Sequence, residues 1–166
     1  PLRGEGTLRG DGDEVKILFV CHGNICRSPM AEFVMKGLLR QAGLEGVEVA
    51  SAALHTDEIG SDVHSGTRRV LTRHGVPFTR RRAWLLTAET AHAYDLLIGM
   101  DAANVADLRR VVRPEDRTRI HKLLAFAGSP RDIADPWYTG DFDATYDDVR
   151  TGCTALVESL REARGA

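Results

Sequence analysis

The stretch Val20-Cys21-His22-Gly23-Asn24-Ile25-Cys26-Arg27-Ser28-Pro29 decides how the rest of the chain is read. It follows the run VKILFV at residues 15–20 and precedes apolar residues at Met30, Phe33, Val34 and Leu38, with Gly43 beyond them. The first run is β-rich with one interrupting Lys, as in a strand buried on both faces of a parallel sheet. The second has helical spacing and a glycine stop. A thiol therefore sits at a strand end, and the backbone N–H groups between it and the helix can curl around an anion, with phosphate the natural guest. Ser28 is placed to cap the helix and Pro29 suits its first turn. Facing the positive helix end, with Arg27 nearby, the Cys21 thiol should ionise well below its usual value of about 8.5, in a range of about 3.5 to 7.5.

Each residue type in the loop has a chemical reason. The Arg27 guanidinium fork can meet two phosphoryl oxygens at once, whereas Lys would supply only a point charge. Gly23 lets the backbone approach closely, and Asn24 tolerates a left-handed conformation and can tie the loop together through its amide. Alternatives remain on the residues alone. Cys21 could be a buried strand-end thiol, and the spacing of Cys21 and Cys26 is an acceptable half of a zinc motif. No second Cys or His pair at matching spacing follows, and neither metal nor cofactor is expected.

Outward from the loop, strands alternate with helices. Residues 47–54 (VEVASAAL), 94–100 (YDLLIGM) and 119–126 (RIHKLLAF) read as three further strands. Helical spacing joins Thr67, Val70, Leu71 and His74; Asp101 can cap a helix carrying Val105, Leu108 and Val112. A last helix puts Tyr146, Val149, Cys153, Leu156, Val157 and Leu160 on one face. The economical fold is α/β, Rossmann-like, a four-stranded parallel sheet flanked by helices on both faces. Arg68, Arg69, Arg73, Arg80, Arg81 and Arg82 form a positive cluster that reads as a solvated face, with anion steering as the alternative.

The 166 residues suit one domain, taken as residues 15–166, after a glycine-rich and charged leader or expression remnant at residues 1–14. A net charge of −2 leaves no global basic field for nucleic acid or an anionic membrane. No apolar run approaches the length of about 20 residues that spans a bilayer. Three cysteines, an odd count, do not make a secreted disulfide framework, so a reducing cytoplasm is expected; a monomer is expected as well.

VCHGNICRSPMAE resembles the phosphate loop of the low-molecular-weight protein tyrosine phosphatases, and the likeness extends over about residues 15 to 163. It implies the phosphotyrosine phosphatase I-like version of the fold. By that likeness Cys21 is the nucleophile, Arg27 clamps the phosphoryl group, and residues 22–28 (His22, Gly23, Asn24, Ile25, Cys26, Arg27, Ser28) bind phosphate. Ser28 would stabilise the departing thiolate, and Ser51 would bond to Asn24 from the second strand. A departing tyrosyl oxygen calls for a proton donor. Asp135, in Asp-Pro-Trp-Tyr on a loop after the fourth strand, resembles the family's general acid, with Trp137 and Tyr138 walling the pocket. Substrates implied are phosphotyrosine proteins or small aryl phosphates, with inorganic phosphate as product.

Some residues depart from the pattern. Where many relatives carry an aromatic, this chain reads Leu54-His55-Thr56-Asp57-Glu58, and Asp57 at a pocket rim should repel acidic peptides. His22 could line the pocket or point to solvent, and His74 could support the phosphate loop. Cys26 is close enough in sequence to Cys21 for a protective disulfide on oxidation. Sister activities share the loop. Residues 75–120 lack the cysteines that an arsenate reductase relays through, and Ile25 stands where arginine phosphatases have Thr. A non-catalytic phosphate-binding module would need neither Cys21 nor Asp135.

Overall fold

The structure, a computed structural model, describes residues 14–165; the expected leader lies outside the described residues except for Glu14. Four strands, β1 (Val15–Cys21), β2 (Val47–Ala53), β3 (Leu96–Gly99) and β4 (Ile120–Lys122), form one parallel sheet in the order β2-β1-β3-β4. Helices α1 (Arg27–Ala42), α2 (Ser65–Arg73), α3 (Ala88–His92), α4 (Ala102–Val111), α5 (Pro136–Thr139) and α6 (Phe142–Ala163) complete the chain.

Because successive strand residues face opposite ways, β1 serves two cores. Ile17, Phe19 and Cys21 face a core built with α1, α2 and α6, while Leu18 and Val20 face a smaller one with α3 and α4. This explains the continuous apolar run at residues 15–20, since a strand covered on both faces has no polar side. The stripe expected on the last helix is buried throughout, Cys153 included.

The order β2-β1-β3-β4 sends the chain one way from β1 and the other way from β3. The crevice at the carboxyl ends of those two strands is where such sheets gather ligands. Gly99, the last residue of β3, keeps that edge tight: a Cβ there would lie 2.8 Å from the Asn104 Cβ. Asn104 in turn accepts a hydrogen bond from the Met100 N–H at 3.0 Å through Oδ1.

Several boundaries differ from the sequence reading. The fourth strand stops at Lys122, and Leu123–Ala127 turns into a 3₁₀ segment ending at Gly128 in the left-handed region (φ 77°). Its buried Leu123 and Leu124 satisfy a strand pattern and a buried turn equally well, because a short apolar run carries no period. The second and third strands are trimmed to Ala53 and to Leu96–Gly99. Helix α3 was not anticipated; Thr87 caps it by accepting from the Thr90 N–H at 3.1 Å. Gly140 (φ 71°) separates α5 from α6.

A Cβ on Gly152 of α6 would lie 2.5 Å from the Leu123 Cγ. Gly152→Ala is expected to destabilise the chain by about 1–2 kcal/mol, overpacking outweighing the helix-propensity gain. Thermal denaturation should show a melting point lower by about 2–8 °C.

Candidate active site

The loop joining β1 to α1 is held from behind. Carbonyls of His22, Asn24, Ile25 and Cys26 accept from the His55 N–H (3.0 Å), Arg81 Nη1 (3.1 Å), the His64 N–H (2.9 Å) and Thr67 Oγ1 (3.1 Å). Since the C=O and N–H of a trans peptide point in opposite directions, tying the carbonyls outward turns the N–H sides toward the cavity. The curl also requires Asn24 in the left-handed region (φ 59°), a conformation that Asn adopts more readily than most residues.

The Asn24 amide is fully engaged. Its Nδ2 donates to Ser28 Oγ (2.8 Å) and to Ser51 Oγ (3.0 Å), as expected for Ser51. Its Oδ1 accepts from Arg81 Nη2, which fixes the amide's orientation because guanidinium can only donate. The Ser28 hydroxyl is then free to donate to Cys21 Sγ (3.1 Å), and the Ser28 N–H approaches the same sulfur (3.4 Å). The Ser51 hydroxyl donates to Glu32 Oε1 (2.6 Å), a buried carboxylate also met by Lys36 (2.6 Å) and Arg81 (3.7 Å).

Three sequence expectations change here. Ser28 does not cap α1, which starts at Arg27 with Cys26 at the cap position and no side-chain cap; the hydroxyl serves the thiol instead. Arg81 leaves the supposedly solvated cluster: its side chain is 13% exposed and braces Asn24, Ser51 and Glu32. His74 lies away from the loop, stacked on Tyr146 at 3.9 Å.

Arg27 is buried across the switch point. Its Nη1 donates to Asp101 Oδ2 (2.7 Å) and to the Ile133 carbonyl (2.9 Å), and its Nη2 to Asp135 Oδ2 (3.4 Å). Burial alone would lower its pKa, but Cys21, Asp101 and Asp135 outweigh burial and raise it above the ordinary value, so the guanidinium stays charged. Asp101 had been read as a cap only. It caps α4 through Oδ1 (2.8 Å to the Asn104 N–H) and holds Arg27 through Oδ2. Asp135 similarly caps α5 by accepting from the Trp137 N–H (3.1 Å), with Pro136 in the first turn.

These elements enclose a cavity of about 440 Å³. Cys21 and Arg27 line it together with Gly23, Ile25 and Cys26 of the loop. Asp135, Trp137 and Tyr138 line it from α5 and its cap, and His22 and Asp57 from the rim. Asn24 and Ser28 stand behind it as support. Trp137 is 56% and Tyr138 83% exposed, so both walls are open to solvent. Glu58, Asp101 and Asp107 also line it, and none of them was read as a cavity residue from the sequence. Gly23 leaves room for Glu58, whose Cγ would lie 3.4 Å from a Cβ there. Burial first, and then the negative charge of Cys21, pushes the Cys26 thiol up to about 12, so it stays protonated at neutral pH.

Comparison with known proteins gives the family and the fold. Residues 16–165 match the family model of the low molecular weight phosphotyrosine protein phosphatases. The low molecular weight protein-tyrosine-phosphatase YfkJ of Bacillus subtilis is 35% identical over 153 residues, covering 90% of this chain and 98% of that protein. Its crystal structure superposes with a TM-score of 0.87 at 36% identity, over 92% of this chain and 98% of that one. The Streptococcus pyogenes low molecular weight protein tyrosine phosphatase structure gives a TM-score of 0.78 at 36% identity, over 88% and 93% of the two chains. A Drosophila arginine phosphatase structure gives 0.81 at 27% identity, over 88% and 98%.

Arg81→Leu should leave the Asn24 oxygens unpaired and strip Glu32 of one cation. We expect a loss of about 2–3 kcal/mol in stability by thermal denaturation. Affinity for inorganic phosphate should fall with it, and Arg81→Lys should restore only part of both, lacking the fork.

Proposed function

The chain belongs to the low molecular weight phosphotyrosine protein phosphatase family, a family of hydrolases, and on that premise we propose which of its residues carry the reaction. Residues 15–166 act as one phosphatase unit. The observation that supports the assignment is the meeting of Cys21, Arg27 and Asp135 at one cavity, from segments more than a hundred residues apart.

In the first step the Cys21 thiolate attacks phosphorus and the bond to the aryl oxygen breaks. Protonated Asp135 delivers its proton to that oxygen. Arg27 and the loop N–H groups hold the equatorial oxygens, where charge builds up. In the second step Asp135, now a carboxylate, takes a proton from water. The water oxygen attacks phosphorus, the S–P bond breaks, and inorganic phosphate leaves. The Ser28 hydroxyl, 3.1 Å from Cys21 Sγ, stabilises the thiolate that departs. Asp101 keeps the guanidinium in place throughout, through its 2.7 Å contact.

The ring of phosphotyrosine fits between Ile25, which is apolar and 8% exposed, and the open aromatic pair Trp137 and Tyr138. Ile25 favours an aryl ester over a phosphoguanidine, which would present polar N–H groups to an apolar wall. The likeness to an arginine phosphatase structure keeps phosphoarginine as the second reading. Asp57 at the rim disfavours acidic peptides. We place the enzyme in the cytoplasm as a monomer with no cofactor, nucleic-acid or membrane partner. Among the described residues no helix is long and apolar enough to cross a membrane.

Cys26, in the same loop and lining the same cavity as Cys21, resolves oxidation, reacting as the thiolate once it loses its proton. Peroxide converts the Cys21 thiolate to a sulfenic acid; Cys26 sulfur attacks it, forming a disulfide and releasing water. Thiol reductant then restores both.

Cys21→Ser should abolish hydrolysis of an aryl phosphate. Asp135→Ala should slow it by about 10²- to 10⁴-fold while inorganic phosphate still binds. Full activity in either variant overturns the mechanism. Turnover of matched phosphotyrosine, phosphoserine and phosphoarginine peptides tests the substrate class, with phosphotyrosine expected to lead. After peroxide and then thiol treatment, Cys26→Ser should recover less activity than wild type, and equal recovery removes the resolving role.

A further inference from the structure

The residue after the nucleophile is held as a rigid plate. His22 stacks on His55 with ring centroids 4.1 Å apart and planes inclined by 21°. Its Nε2 meets Asp57 Oδ2 at 2.8 Å, and the His55 Nε2 meets Asp107 Oδ2 at 2.8 Å. With one face covered by His55 and one edge fixed by a carboxylate, the His22 ring lines the cavity while 49% of its side chain remains exposed.

The charges around this plate are mostly of one sign. Asp57, Glu58 and Asp107 line the mouth, and Arg27, buried at the base, is the one Lys or Arg among the lining residues described. Arg110 offsets Asp107 from outside at 2.7 Å. Asp57 keeps 65% of its side chain exposed, and its hydrogen bond from His22 holds its carboxyl below the usual range, so it is ionised at neutral pH.

A flat, half-exposed imidazole edged by carboxylates matches one side chain in particular. A guanidinium stacks its plane on an aromatic face while its N–H fork reaches a carboxylate; an ammonium brings charge without a plane. An acidic side chain meets like charge. We propose that His22, with Asp57 and Glu58, is a specificity determinant that selects substrates carrying an arginine beside the phosphotyrosine. This rests on the phosphotyrosine reading above and extends it from the scissile group to its neighbour.

The test is steady-state kinetics of the full chain on phosphotyrosine peptides identical except for Arg, Lys, Ala or Glu at the flanking position. The Arg peptide should exceed the Glu peptide in kcat/KM by about five- to tenfold at low salt, mainly through KM, with the ratio shrinking as salt rises. Asp57→Asn with Glu58→Gln should bring the Arg-to-Glu ratio toward one. His22→Leu should erase the preference for Arg over Lys and keep that of Lys over Glu. Each ratio is taken within one variant, so a change in overall turnover or folding divides out. Equal kcat/KM for Arg and Glu peptides in the wild type, or ratios unmoved by the variants, overturns the proposal. Failure of every phosphotyrosine peptide to turn over would instead overturn the underlying substrate reading.

Discussion

A single left-handed residue holds the site together. Unless Asn24 turns (φ 59°), the loop after β1 cannot present its N–H groups on one side and still deliver the chain to α1. Such a conformation costs of order 1 kcal/mol or more for a residue with a Cβ, and it persists only when its surroundings over-determine it. Here the surroundings are Arg81, Ser28 and Ser51, which bond the Asn24 side chain, and Arg81 again on its carbonyl. The same bonds orient the Ser28 hydroxyl toward Cys21, so loop geometry and thiol environment are one network.

A second constraint is electrostatic. The buried Arg27 guanidinium needs compensation, and it takes it from both sides of the switch point between β1 and β3, from Asp101 and Asp135 with the Ile133 carbonyl. Two carboxylates that cap helices therefore also fix the Arg27 guanidinium. An unpaired buried charge is strongly destabilising, so the strand order, helix starts and guanidinium position are tied together. Asp135 is held against Arg27 at 3.4 Å and by its cap on α5, so its carboxylate has a fixed place at the cavity.

The loop itself was legible because each residue is constrained by local chemistry. The strand, left-handed Asn, Arg fork and Pro in the first turn all follow from nearest neighbours in sequence, whereas the short helix α5 after Asp135 was read as a loop. Misreadings came where local signals are ambiguous. Ser28 reads as a cap in the sequence, yet its hydroxyl has a stronger claimant in the thiol seven residues earlier, at the end of β1. Leu123 and Leu124 look like strand residues because burial leaves no period. Arg81 sat in a run of three arginines with nothing in spacing to separate the buried one from Arg80, which is 97% exposed.

The sequence by itself determined the α/β alternation, the double-faced burial of β1, the strand-to-helix loop with its thiol and arginine, and the separate Asp-Pro turn. These depend on residue type and short-range spacing, which the chain carries locally. Only the tertiary structure decided what lies beside what: Asp101 and Asp135 on one guanidinium, Arg81 behind Asn24, and His22 stacked on His55 over a carboxylate rim. Those contacts join residues 33 to 108 positions apart, and they are selected by the packing of strands and loops around a buried charge, which no local pattern encodes.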